Sequence, residues 1–89
     1  MKSPKDLEQI LKGCANHRRI ETLLLLRTEP ELTLEQIAEH LGVNFRTASE
    51  HMRRMAVGGL LMKRYEGTSV HHALTRRGKD ILAFLKTLA

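Results

Sequence analysis

The stretch Leu32 to Leu61, LTLEQIAEHLGVNFRTASEHMRRMAVGGLL, decides the fold. Thr33 and Gln36 have the spacing of a capping box, in which a hydroxyl and an amide side chain satisfy orphan donors at the first helical turn. Leu34, Ile37, Ala38 and Leu41 supply a buried face behind it. Gly42 suits the left-handed conformation that ends a helix, Val43 is placed to plug the turn into a core, and Asn44 can cap a new helix at once. In that second helix, 44–57, Phe45, Ala48, Met52 and Met55 share one stripe, while Arg46, Thr47, Glu50, Arg53 and Arg54 fall on the other side. Two helices joined by a tight turn, the second with one packing face and one basic, hydroxyl-bearing face, fit the major groove of DNA.

Working outward, Leu7, Ile10, Leu11 and Cys14 follow helical spacing among polar residues, which predicts a short amphipathic helix over 5–14. A second helix starts near Asn16 or His17 and runs through Ile20 and Leu23 to Leu26; its second half is apolar nearly all round and reads as the central core helix. Thr28, Glu29 and Pro30 end it, because proline lacks the donor that a continuing helix uses. Beyond the quoted stretch, Gly58 and Gly59 stop the basic helix. Leu60–Tyr65 and Val70–Leu74 then read as strands around a Glu66–Ser69 turn, a wing over 61–74. Thr75 caps a last helix, 76–88, with Ile81, Leu82, Phe84, Leu85 and Leu88 as a wide apolar stripe. The expected fold class is mainly α with a small β-hairpin, one domain over residues 1–89.

The 89 residues are too few for two ordinary cores, and 42% hydrophobic content is enough for a folded chain. Fifteen basic against ten acidic residues give a net charge of +5, which favours an acidic partner. Eight basic and only two acidic residues fall within 44–79, so the positive charge gathers around the second helix of the pair and the wing. A single cysteine excludes an internal disulfide and a multi-cysteine zinc site. No apolar run resembles a membrane span or a signal peptide, so a cytoplasmic, soluble protein is expected. No glycine-rich phosphate loop, carboxylate pair or supported nucleophile can be assembled, which argues against an enzyme.

The order of helices and hairpin, with Ser49, His51 and Met52 inside the quoted stretch, resembles the ArsR-type family of winged helix-turn-helix transcriptional regulators. The ending Ala73 to Leu82, ALTRRGKDIL, is similar to the junction between wing and final helix in MarR-type regulators. The resemblance implies a homodimer built by the terminal helices, with two recognition helices in successive major grooves of a pseudo-palindromic duplex. Leu7, Ile10, Leu11 and Cys14 of the first helix and Ile81, Phe84, Leu85 and Leu88 of the last are the expected interface residues. Metal sensors of that family carry a cysteine pair in or ahead of the recognition region, or carboxylate and histidine ligands in the last helix. Thr33–Leu41 contains no cysteine, and the last helix has Asp80 but no histidine. No metal and no cofactor is therefore expected, and the effector is left open.

Arg46 and Thr47 are the best base-edge candidates, since arginine bonds bidentately to guanine and a threonine methyl packs on thymine. Glu50 is the third, because a carboxylate on that face is repelled by phosphates unless it accepts from cytosine or orients a neighbouring arginine. Asn44, Ser49, Arg53, Arg54, Lys63, Arg64, Thr68 and Ser69 are candidates for the DNA backbone. His51, His71 and His72 read as structural, Cys14 as a packed thiol, and Met52, Met55 and Met62 as core filler. The expected function is a dimeric, sequence-specific DNA-binding repressor. The alternative is a winged-helix interaction module serving as a subunit of a larger assembly.

Overall fold

A computed structural model describes residues 1–88. Among these residues lie five helices and a small sheet: α1 (Pro4–Lys12), α2 (His17–Thr28), β1 (Leu32–Thr33), α3 (Leu34–Leu41), α4 (Phe45–Val57), β2 (Leu61–Glu66), β3 (Ser69–Leu74) and α5 (Arg76–Lys86). The arrangement is a winged helix-turn-helix, with α3 and α4 as the helix pair and β2–β3 as the wing.

Local chemistry sets the helix ends. Ser3 caps α1 by accepting from the Asp6 amide, and Pro4 occupies the first turn, where its missing N–H leaves no helical bond unmade. Gly13 closes α1, so the helix ends before the expected residue 14, and Cys14 lies buried just past it. Asn16 caps α2 through the Arg18 amide. The capping box of α3 is complete: the Thr33 hydroxyl accepts from the Gln36 amide, and the Gln36 side chain accepts from the Thr33 amide at 2.8 Å. Gly42 takes φ +68°, and the Asn44 side chain accepts from the Thr47 amide at 2.8 Å to start α4.

Leu23, Leu26, Ile37, Leu41, Met52, Met55, Leu60 and Leu82 form the centre of the core. Four expectations change. Leu24 of α2 is exposed, because Leu23–Leu26 sweep most of the helix circumference and α2 has one solvent side. Phe45 is exposed at the first position of α4, beyond the edge of the stripe formed by Ala48, Met52 and Met55. Met62 is exposed on the outer face of β2 instead of filling the core. The last helix ends at Lys86, with Thr87 as its cap, two residues short of 88.

The sheet has three strands in the order β1–β3–β2, all antiparallel. The third strand, β1, is too short to read from sequence; it pairs Leu32 with His72 and Thr33 with His71. The hairpin turn is also tighter than expected. Glu66 pairs with Ser69, leaving Gly67 at φ +60° and Thr68 as the loop, so Ser69 belongs to the strand. The root of the wing returns to the end of α4. The Thr75 hydroxyl donates to the Gly59 carbonyl at 2.6 Å while accepting from the Gly78 amide, and the Thr75 amide donates to the Leu60 carbonyl at 3.1 Å. Gly78 is needed there, since a Cβ would collide with the Leu60 carbonyl oxygen.

Two outcomes test this packing. Gly78→Ala is expected to lose about 2 kcal/mol or more, because the obstacle is backbone and cannot turn aside; urea unfolding that matches wild type would contradict the close approach. His72 is buried, with Nδ1 donating to the Leu32 carbonyl at 3.3 Å, and burial holds its pKa below the ordinary 6.5. The unfolded chain then takes up a proton that the folded chain refuses, so stability should fall as pH drops below 6.5. The urea midpoint is expected to decrease between about pH 7.5 and about pH 5.5, with a smaller slope in His72→Asn. Half-buried His51, also shifted downward, sustains part of the slope in that variant.

Candidate nucleic-acid interface

Helix periodicity separates α4 into two sides. Ala48, Met52 and Met55 are buried, while Arg46, Thr47, Ser49, Glu50, Arg53 and Arg54 are all exposed. Around the axis, Arg46, Glu50 and Arg53 stand opposite the buried stripe, with Thr47 and Ser49 on its two flanks. Asn44 is engaged as the helix cap.

The charges on this face are not equivalent. Glu50 lies one turn beyond Arg46 and accepts from three donors: Arg53 Nε at 3.0 Å, Arg53 Nη2 at 2.7 Å and Arg54 Nε at 3.1 Å. These bonds, Arg53 first and Arg54 second, hold the Glu50 carboxyl down to about 2. Glu50 thus orients both arginines, one of the roles open to it on sequence grounds. Arg46 makes no ion pair among the described residues.

The wing divides in the same way. Arg64 Nε donates to Glu31 at 2.6 Å and Arg64 Nη1 to Glu66 at 2.7 Å, so this expected backbone contact is already engaged by two carboxylates. Glu31 sits at φ +70°, and its own carbonyl accepts from His71 Nδ1 at 2.7 Å, which ties the loop before β1 to β3. Lys63, Thr68 and Ser69 are exposed on the hairpin. Arg77 is used internally, donating to the Gly58 carbonyl at 3.2 Å, and Arg76 pairs with Asp80 at 3.5 Å.

Two basic residues outside the expected set also reach α4. Lys12 lines a small depression with Arg53 and Arg54. Arg19 donates to His51 Nδ1 at 3.1 Å and to the Lys12 carbonyl, joining α2, α4 and the end of α1. Their charge was visible in the sequence, but nothing local assigns them to this face. Burial, then the charges of Arg19 and Arg18, push the His51 pKa down, in keeping with a ring nitrogen that accepts from a guanidinium. Of the expected interface residues, Leu11, Phe84 and Leu88 are exposed, Leu7, Ile10, Ile81 and Leu85 are half-buried, and Cys14 is buried within its own chain. Burial also pushes the Cys14 thiol up, away from the thiolate. Among the described residues, no group of three or more His, Cys, Asp or Glu is placed to hold a metal ion, and no helix is long and apolar enough to cross a membrane.

No protein-family model matches the chain. The HTH-type transcriptional regulator Rv0324 of Mycobacterium tuberculosis is 37% identical over 70 residues, which is 79% of this chain and 30% of that protein. The chain thus spans less than a third of that relative's length. The homodimeric winged helix-turn-helix DNA-binding domain of Mb0332 from Mycobacterium bovis, a possible ArsR-family transcriptional regulator, superposes with a TM-score of 0.84 at 29% identity, covering 94% of this chain and 78% of that one. HlyU from Vibrio cholerae superposes with a TM-score of 0.81 at 26% identity, over 99% of this chain and 97% of that one. The resemblance to ArsR-type winged helix-turn-helix regulators therefore holds across nearly the whole chain.

The Glu50 clamp has a direct readout. An NMR titration of the Glu50 side-chain carboxyl carbon is expected to show a midpoint of about 2. In the Arg53→Ala, Arg54→Ala double variant the midpoint should return to about 4.3, the ordinary glutamate value. An ordinary midpoint in the wild type would mean that the two arginines do not hold the carboxylate in solution.

Proposed function

We propose that this domain binds duplex DNA in a sequence-specific manner as a homodimer and represses transcription, with α4 in the major groove and the wing against the flanking backbone. The observation that carries the reading is the outward face of α4. Arg46, near its start, has no ion-pair partner among the described residues, and Arg53 and Arg54 are fixed about two turns later by Glu50. A helix of this kind presents its N-terminal residues to base edges and its later basic residues to phosphates. Arg46 and Thr47 are assigned to bases. Asn44, Ser49, Arg53, Arg54, Lys63, Thr68 and Ser69 are assigned to the backbone, while Arg64 would contribute only if it exchanged a carboxylate for phosphate. Glu50 acts on a base by accepting from cytosine, or serves the backbone contacts through Arg53 and Arg54, which it positions.

The dimer reading rests on exposed apolar residues of the terminal helices, with Leu11 on α1 and Phe84 on α5 each more than half exposed. A chain of this size gains stability by covering such residues with a second copy. The homodimeric state of the Mycobacterium bovis domain supports a dimer.

Selection from a random duplex pool at moderate salt is expected to yield a pseudo-palindrome whose half-sites are about 34–36 Å apart. Arg46→Ala should then weaken the selected duplex by about 1–3 kcal/mol and relax preference at one base of each half-site, while leaving the melting temperature unchanged. Enrichment of no motif, together with a folded Arg46→Ala that binds every duplex like wild type, would contradict the reading and favour a protein partner for α4.

A further inference from the structure

A groove of about 560 Å³ lies away from the basic face of α4, between the end of α2, β3 and α5. Its volume is in the range of sites that take small molecules. Leu26, Leu74 and Leu82 form the apolar floor, and Pro30, Ala73 and Ala83 complete the lining without a single aromatic ring or carboxylate. The remaining three lining residues are Arg27, Lys79 and Lys86, all exposed, and none has an ion-pair partner among the described residues.

An aliphatic trough whose only charges are three unpaired cations is complementary to one chemistry, an alkyl chain ending in an anion. The floor offers burial to methylenes, and the cations offer charge-assisted bonds to the head group. We infer that this groove is a binding site for a small aliphatic carboxylate, of the medium-chain fatty-acid class. The assignment does not depend on DNA binding.

The site is also separate from the face expected to meet a second copy. At 100° per residue, Lys79, Leu82, Ala83 and Lys86 cluster on one side of α5, whereas Ile81, Phe84 and Leu85 cluster on the other. A dimer built through the latter stripe leaves the groove open. A bound carboxylate would touch α2, the inner wing strand and α5 together.

Titration of the full chain with decanoate below its micellar concentration, followed by 1H–15N correlation spectra, tests the inference. Saturable shifts are expected at amides of Leu26, Ala73, Leu74 and the Lys79–Lys86 side of α5. Decyltrimethylammonium should bind more weakly than decanoate, and the Lys79→Glu, Lys86→Glu double variant should lose roughly tenfold or more in decanoate affinity. That variant should leave decanol binding unchanged, which separates loss of charge from loss of fold. Ala83→Trp, which fills the groove, should abolish binding of both. Absence of saturable shifts, equal affinity for the decyl cation, or shifts confined to the Phe84 side would overturn the assignment. So would dissociation of a dimer on adding decanoate to wild type, because the groove would then be part of the interface between copies.

Discussion

Three successive carbonyls, those of Gly58, Gly59 and Leu60, are left where α4 stops, and all three are taken from beyond the far end of the wing. Arg77 Nη1 bonds the first, the Thr75 hydroxyl the second and the Thr75 amide the third. The last carbonyls of a helix and of the turn that follows have no intrahelical partner, and if buried they must find one elsewhere. Here that requirement fixes the distance between the end of α4 and the start of α5, and with it the root of the hairpin. Gly78 permits the approach because it carries no side chain against Leu60. Leu60 and Leu61 then enter the core at the point where the two elements meet, so the junction is held by apolar burial as well as by hydrogen bonds.

Electrostatics on this scaffold are arranged by subtraction. Eight basic residues lie between 44 and 79, yet Arg53 and Arg54 share Glu50, Arg64 is held by Glu31 and Glu66, Arg76 pairs with Asp80, and Arg77 serves the junction. Exposed ion pairs of this kind add little to stability. Their effect is geometric: each fixes a long side chain that would otherwise sample many rotamers. Arg46, with no such partner on α4, is left to the chemistry that its position supplies.

The features legible in the sequence were those whose causes are local. The Thr33–Gln36 capping box, the Gly42 turn and the Asn44 cap each involve residues five or fewer apart, and side-chain type at fixed spacing specifies them. What escaped depends on distant partners. Arg64 meets Glu31 across 33 positions, β1 exists only because β3 passes beside Leu32 and Thr33, and the exposure of Met62 follows from which face of β2 is turned outward. The apolar groove was invisible for the same reason, since its lining comes from three separate elements. Periodicity shows that a residue has an apolar neighbourhood on its own helix. It does not show where a chain this small runs out of neighbours, as at Phe45 and Phe84.

The most direct test of the central claim is to map the amides of this chain that respond to a short duplex carrying its enriched site, using 1H–15N spectra over a range of salt. Shifts are expected to concentrate at 44–54 and on the 61–74 hairpin, and to weaken with rising salt as phosphate contacts are screened. Shifts confined to α1 and α5, or none beyond those caused by salt alone, would contradict the claim and remove α4 from the role of reading helix.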